Sequence, residues 1–130
     1  MVAVLGIALA FGAVTLRALE GGEVVIVRTR GKSGAPRETR TWIADDPEGA
    51  WIEAASPARP FFLDVLADPE VEVWRGGRWR RCRALVAGNP EGHDRIRRLL
   101  AARYGWKDRW IGMLADTRGS MALRLACEAS

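Results

Sequence analysis

Between Glu23 and Ala87 the chain is cut repeatedly by glycine, proline and aspartate into short pieces rich in β-branched side chains. Pieces this short cannot present a long helical face, so most of them must be strands of an antiparallel sheet joined by tight turns. Glu23 to Arg30, with Val24, Val25, Ile26, Val27 and Thr29, reads as the first strand, and Gly31 to Pro36 carries turn chemistry. Arg37 to Ala44, where Thr39, Thr41 and Ile43 alternate with Glu38, Arg40 and Trp42, reads as its hairpin partner. Asp45-Asp46-Pro47-Glu48-Gly49 is a turn and Ala50 to Ala55 a third strand, which gives a meander. Glu70 to Arg75 and Arg78 to Ala87 are two more strands, joined by the two-residue hairpin signal Gly76-Gly77. Ser120 to Cys127 reads as the last.

Three helices interrupt the strands. Proline suits a first helical turn, so Pro60 opens a short helix through Phe61 to Ala67, and Asp68-Pro69 ends it. Asn89-Pro90 precedes a longer helix whose apolar face is Ile96, Leu99, Leu100 and Tyr104, and Gly105 stops it. Trp106 to Ala115 forms another, burying Trp106, Trp110, Ile111 and Leu114. The order β-β-β-α-β-β-α-α-β predicts a mainly β (α+β) domain over residues 23–128, with six antiparallel strands closing into a small barrel. A chain of 130 residues holds one such domain.

Residues 1–16 contain no charged side chain, and the first is Arg17. A helix of that length reaches ~24 Å, and Ala18 and Leu19 extend it towards the ~30 Å hydrocarbon core if Arg17 snorkels. Residues 1–19 are therefore expected to be an uncleaved apolar membrane helix, the alternative being a buried N-terminal helix of a soluble protein. The basic residues that follow, Arg17, Arg28, Arg30 and Lys32, place the domain on the cytoplasmic side.

The net charge of +4 is unevenly spread. Residues 28–40 carry five cations against Glu38, residues 74–83 carry five arginines, and the rest of the chain is acidic. That distribution points to a localised anion site, the plainer alternative being solvated hairpin ends. Other chemistries are excluded by composition. His93 is the only histidine, and Cys82 and Cys127 belong to no CxxC pair, so no zinc-ligand set can form. No Gly-x-Ser-x-Gly setting exists for a serine nucleophile. Gly31-Lys32-Ser33 is not a phosphate loop of the Walker type, because Ile26 stands where the first glycine is required. What remains is a glycine-bearing turn whose amides, with Arg30, Lys32 and Arg37, suit a phosphate; a merely polar hairpin tip is the bland reading.

The segment from Trp74 to Arg83 interleaves tryptophan with arginine, but alternation puts Trp79, Arg81 and Arg83 on one face and Arg78, Arg80 and Cys82 on the other. No aromatic platform results, and no nucleic acid is expected as a partner. Trp79 is expected to pack, Cys82 to be a small core residue, and His93 to be a solvated first-turn residue. Trp42, just beyond the basic hairpin, is placed to wall a pocket for a flat cofactor.

Arg28-x-Arg30-Gly31-Lys32-Ser33-Gly34-Ala35-Pro36-Arg37, then a strand ending in Ala54-Ala55-Ser56, then the helix running into Ala67-Asp68-Pro69-Glu70-Val71-Glu72-Val73, resembles the split β-barrel nitroreductase or deazaflavin-dependent oxidoreductase family. The similarity extends through Arg103-Tyr104-Gly105-Trp106-Lys107-Asp108-Arg109, and is greatest to a subgroup with an N-terminal membrane helix. The resemblance implies a homodimer that binds FMN or a deazaflavin in clefts near the subunit interface and reduces a small-molecule acceptor such as a quinone or nitro compound. By position, Arg30, Lys32, Ser33 and Arg37 would bind the cofactor phosphate, Arg40, Thr41 and Trp42 would flank the ring, and Ser56 would sit at the rim. No catalytic side chain and no metal is implied, because the cofactor carries the chemistry. Two stretches depart from the family pattern. Ser56-Pro57-Ala58-Arg59 lacks the lysine and glycines usual after the third strand, and Asp64 stands where an asparagine is usual. Such changes would alter cofactor binding while leaving the barrel, so the rival expectation is a non-enzymatic, membrane-associated barrel whose basic hairpins meet a protein partner or anionic lipid.

Overall fold

The computed structural model describes residues 23–114 and 118–128. Its strands are β1 (Val24–Thr29), β2 (Arg37–Trp42), β3 (Ala44–Asp46), β4 (Gly49–Ala54), β5 (Glu70–Arg75), β6 (Arg78–Ala87) and β7 (Met121–Cys127). Three helices, α1 (Pro60–Ala67), α2 (Glu91–Tyr104) and α3 (Trp106–Leu114), complete it.

The sheet has seven strands in the order β2-β1-β5-β6-β7-β4-β3, all neighbours antiparallel. This corrects the expected six. The run Arg37 to Ala44 is not one strand but bends at the buried Ile43, so that β2 pairs with β1 and β3 with β4. Because β2 and β3 are the two edges of the sheet and are consecutive in the chain, one segment belongs to both edges and the sheet curls round. Pairing Ala44, Asp45 and Asp46 costs nothing in turn chemistry, since Asp46 Oδ1 still accepts from the backbone of Glu48 at 2.8 Å.

Alternation fills the inside of the curl. Val25 and Val27 of β1, Val71 and Val73 of β5, Cys82 and Ala84 of β6, Leu123 and Leu125 of β7 and Ile52 of β4 form one buried cluster, and α1 closes it with Phe61, Phe62 and Val65. A second cluster lies outside the sheet, where Ile96, Leu100 and Tyr104 of α2 cover Ala44, Trp51 and Ala122. The i, i+4 and i+8 spacing on α2 is the sequence reason that this helix lies flat on the strands. Gly76 and Gly77, with φ of 60° and 82°, make the two-residue turn that sets Arg75 opposite Arg78.

Three further expectations change in detail, and two more fall outside what is described. Trp106 is not buried but 48 % exposed, on the outer side of α3, whereas Trp110 is half-buried. Ile111 and Leu114 fall outside the described side chains. His93 is not simply solvated: it is half-buried, with Nδ1 2.8 Å from Ser120 Oγ, tying α2 to the start of β7. Cys82 is in the core as expected but forms a disulfide with Cys127, its directly opposed partner across β6 and β7. The expected membrane helix over residues 1–19 lies outside the described residues, among which no helix is long and apolar enough to cross a membrane.

Candidate functional site

Half of the basic residues in the two runs, Arg28, Arg30, Arg37, Arg75 and Arg83, are spent on ion pairs. Arg28 reaches Glu38 at 3.1 Å and Glu72 at 3.6 Å, and its guanidinium lies 4.0 Å over the Trp79 ring. Arg30 faces Glu72 at 3.8 Å, and Arg83 reaches Glu70 at 2.8 Å. Arg75 donates to Glu23 and Asp45, which Arg103 also reaches. The hydrogen bonds from Arg75 are the main reason that both carboxyls are held below their ordinary range. A cavity of about 520 Å³ opens beside this network, lined by Ile43, Val73, Leu125, Arg78 and Arg80 among others. Its acidic groups Glu23, Asp45 and Asp46 are each paired with an arginine, while Arg78 and Arg80 line it without an ion pair among the described residues.

The balance differs in a cleft of about 360 Å³ between β2, the end of β4 and the start of α1. Arg37, Thr39, Arg40 and Thr41 line one wall, Glu53 and Ala55 the floor, and Arg59, Pro60 and Phe61 the other wall. Its two acids are already paired: Glu38 with Arg28, and Glu53 with Arg97, whose Nη1 lies 3.0 Å and 3.1 Å from the two carboxylate oxygens. Arg40 and Arg59 make no ion pair among the described residues. Arg59 is also the N-cap of α1 without a side-chain cap, and Pro60 at the first turn has no N–H to satisfy. The unpaired first-turn amides and the positive end of this eight-residue helix add to the two arginines. This arrangement can hold an anionic group against a partly apolar wall.

The eight residues expected to form the site are distributed unequally. Arg37, Arg40 and Thr41 line the cleft. Ser56 stands at the chain's exit from β4, half-buried, its Oγ accepting from the backbone of Ala58 at 3.3 Å. Arg30, Lys32 and Ser33 belong to the β1–β2 turn, where Lys32 and Ser33 are exposed and Ser33 Oγ accepts from the Ala35 amide at 3.3 Å. Trp42 is turned to the outer face, stacked on Tyr104 with ring centroids 4.6 Å apart. Arg59 was missed in sequence. Its signal was its place just before a helix-opening proline, where a cation lies against the positive end of a helix and needs an anion to settle there.

No family model matches this chain, and no curated protein matches its sequence. Solved structures do. The heme storage protein HutZ from Vibrio cholerae superposes with a TM-score of 0.62 at 14 % identity, over 88 % of this chain and 87 % of that one. A putative pyridoxamine 5′-phosphate oxidase from Listeria innocua gives 0.59 at 15 % identity, over 88 % and 90 %. An FAD-binding protein from Mesorhizobium loti gives 0.59 at 17 % identity, over 88 % of each chain. The chain thus has the split-barrel fold of the pyridoxamine-phosphate-oxidase type, with a cationic cleft where the open edge of the barrel meets a helix N-terminus.

Proposed function

We propose that this protein is a flavin- or deazaflavin-binding oxidoreductase of the split-barrel kind. The observation that carries the reading is that Arg40 and Arg59, neither in an ion pair among the described residues, line one cleft together with the α1 N-terminus, in a fold that an FAD-binding protein shares. The phosphate of the cofactor would rest on Arg40, Arg59 and the first-turn amides of α1, because charge-assisted bonds in a partly dry cleft are the strong ones. Thr39 and Thr41 offer hydroxyls along the strand, and Phe61 an apolar face for the edge of a ring. When bound, the cofactor supplies the transfer of a hydride or electron pair to an acceptor such as a quinone or nitro compound. The chain's own work is to bind the anion, orient the ring and exclude water. Arg30, Lys32 and Ser33 extend the cationic rim. Trp42 packs on Tyr104 of α2 instead of flanking the ring.

β2, which lines the cleft, is an edge strand on which a second copy of the chain could pack; a homodimer belongs to this reading. So does membrane association through residues 1–19. The Cys82–Cys127 disulfide bears on the side of the membrane, since such bonds persist in oxidising compartments and are rare and transient in the cytosol. The rival is a non-enzymatic membrane-associated barrel whose basic hairpins bind a protein partner or anionic lipid; the observation on its side is that Asp64 pairs with Arg37 at the β1–β2 turn, where the resemblance would put the cofactor phosphate.

The test is the absorbance spectrum of the purified full chain followed by thermal-shift titration with FMN and with a deazaflavin. A bound chromophore, or stabilisation that saturates with one of them and is lost in Arg40→Ala and Arg59→Ala, is expected. Absence of colour and of any shift with either would remove the oxidoreductase reading in favour of the rival.

A further inference from the structure

The cavity of about 520 Å³ is lined in part by one half of the Cys82–Cys127 disulfide. The two halves stand in different surroundings. Cys82 is 2 % exposed and belongs to the inner core cluster, whereas Cys127, at the end of β7, is exposed and lines the cavity. A reagent arriving from solvent therefore meets Cys127 and not Cys82.

Two arginines line the same cavity. Arg78 and Arg80 alternate with Trp79 and Arg81 along β6, which puts them on the face of Cys82. Arg80 lies opposite the buried Val73, so that face is the inner one. Cys82 is directly opposed to Cys127, and the pairing runs on through the Glu128 amide, which donates to the Arg81 carbonyl at 2.9 Å. Arg80 is thus the diagonal neighbour of Cys127 across β6 and β7, a separation of ~7 to 8 Å that a long side chain spans. Neither arginine has an ion pair among the described residues. The carboxylates of the cavity, Glu23, Asp45 and Asp46, are engaged by Arg75, Arg103 and Arg95.

We propose that this cavity is a thiol–disulfide exchange site for small thiols bearing a carboxylate, entered at Cys127 and guided by Arg78 and Arg80. The thiolate of the small molecule attacks Cys127 Sγ. A bond forms between those two sulfurs while the Cys82–Cys127 bond breaks, and its electron pair leaves with Cys82, which takes up a proton because apolar surroundings disfavour a thiolate. A second small thiol then attacks the sulfur of the first and releases Cys127. Two thiols are thereby oxidised to one small disulfide, and the protein disulfide is reduced by two electrons and two protons. The reverse sequence restores the bond, since the two cysteines stay opposed in the sheet. The arginines attract the carboxylate that the thiol carries besides its sulfur. The proposal is independent of the flavin reading, and its test uses no flavin.

The probes are anionic 3-mercaptopropionate, neutral 2-mercaptoethanol and cationic cysteamine, applied without air to the folded full chain, with protein thiols counted by alkylation and mass spectrometry. Each rate is divided by that thiol's rate on an uncharged small disulfide, which removes differences in intrinsic reactivity. Reduction is expected to be first order in thiol. The normalised rate for 3-mercaptopropionate should exceed that for cysteamine by about fivefold, with 2-mercaptoethanol between them, and the ratio should fall below about twofold in Arg78→Gln/Arg80→Gln. Cys82→Ala and Cys127→Ala assign the point of entry. Cys127, the thiol left in the first, should be modified by the disulfide of 3-mercaptopropionate, and Cys82, left in the second, should stay inert until the chain unfolds. Both arginines are exposed, so the arginine variant decides the matter even where a cysteine variant fails to fold. A rate independent of thiol concentration, a preference unchanged in the arginine variant, or Cys82 reacting as readily as Cys127 overturns the proposal.

Discussion

Arg97 is the residue whose loss should be felt most widely. It projects from α2 between Glu53 of β4 and Asp108 of α3, donating to both oxygens of each: 3.0 Å and 3.1 Å to Glu53, 2.8 Å and 2.7 Å to Asp108. The side chains are 23 %, 13 % and 7 % exposed for Arg97, Glu53 and Asp108 respectively. Burial alone would lower the affinity of the guanidinium for its proton, but the attraction of the two carboxylates and their hydrogen bonds outweigh it, and the net shift is upward. Arg97→Met keeps the apolar stem and strands two partly buried carboxylates. Removing one partner of a fully buried pair costs about 3 to 5 kcal/mol, and the partial exposure of Arg97 argues for the lower end, about 3 kcal/mol. With a urea dependence of about 1.5 kcal/mol per molar, the unfolding midpoint should fall by about 2 M. Urea titration followed by tryptophan fluorescence measures this directly, the chain having six tryptophans. The variant Arg97→Met/Glu53→Gln/Asp108→Asn, with no stranded charge, should recover most of the loss, because the expense lies in uncompensated burial and not in the missing contacts. A midpoint shift below about 0.5 M, or a triple variant no more stable than the single one, would refute the reasoning. Glu53 also lines the cleft, so the single variant should bind FMN more weakly and the triple variant should not.

Two further outcomes are expected. The Cys82–Cys127 disulfide closes a separation of 45 residues, for which the chain-entropy estimate is about 4 kcal/mol, so thermal unfolding with and without a reductant should show a clear drop on reduction; an unchanged midpoint with the bond demonstrably broken would mean that the sheet alone sets the stability. Glu23 and Asp45, whose ordinary values are 4.5 and 3.8, are depressed chiefly by hydrogen bonds from Arg75. A depressed carboxyl contributes stability above its unfolded value and loses it as pH falls through the folded one. Stability should therefore begin to decline below pH 4.5 and continue to fall in the acid limb, and Arg75→Met should flatten that limb; an equal slope in the variant would show the network to be inert.

The strand pattern was legible because its signals were local. Alternation in β1, the Gly76-Gly77 turn and the i, i+4, i+8 spacing of α2 each act within a few residues, and each element lies within a residue or two of where it was expected. The division of β2 from β3 was not legible. Ile43 continues the alternation of Thr39 and Thr41, and only the pairing of its flanks with two different strands breaks the run. Nor could spacing pair Cys82 with Cys127, since the register of β6 against β7 sets them opposite each other. Trp106 misled because its spacing from Trp110 fits a buried helical face, yet it lies 48 % exposed at the first turn of α3.

The site shows the limit more sharply. Two basic runs were visible in sequence, but their value as an anion site depends on which cations remain after intramolecular pairing, and the acids that neutralise them come from distant parts of the chain. Arg28 is matched by Glu72, Arg75 by Glu23 and Asp45, and Arg37 by Asp64. Among the described residues both runs keep cations without an ion pair; of those in the second, Arg78 and Arg80 line the larger cavity and Arg81 lies elsewhere. Arg40 and Arg59, one inside a run and one outside both, are brought together only when β2 passes the end of β4 and α1 turns its N-terminus towards it. Charge density along a sequence therefore overstates an anion site wherever opposing carboxylates fold back onto it. What decides the ligand is the small remainder of charge left after that cancellation, in which Asp64 removes Arg37 from the cations of the cleft.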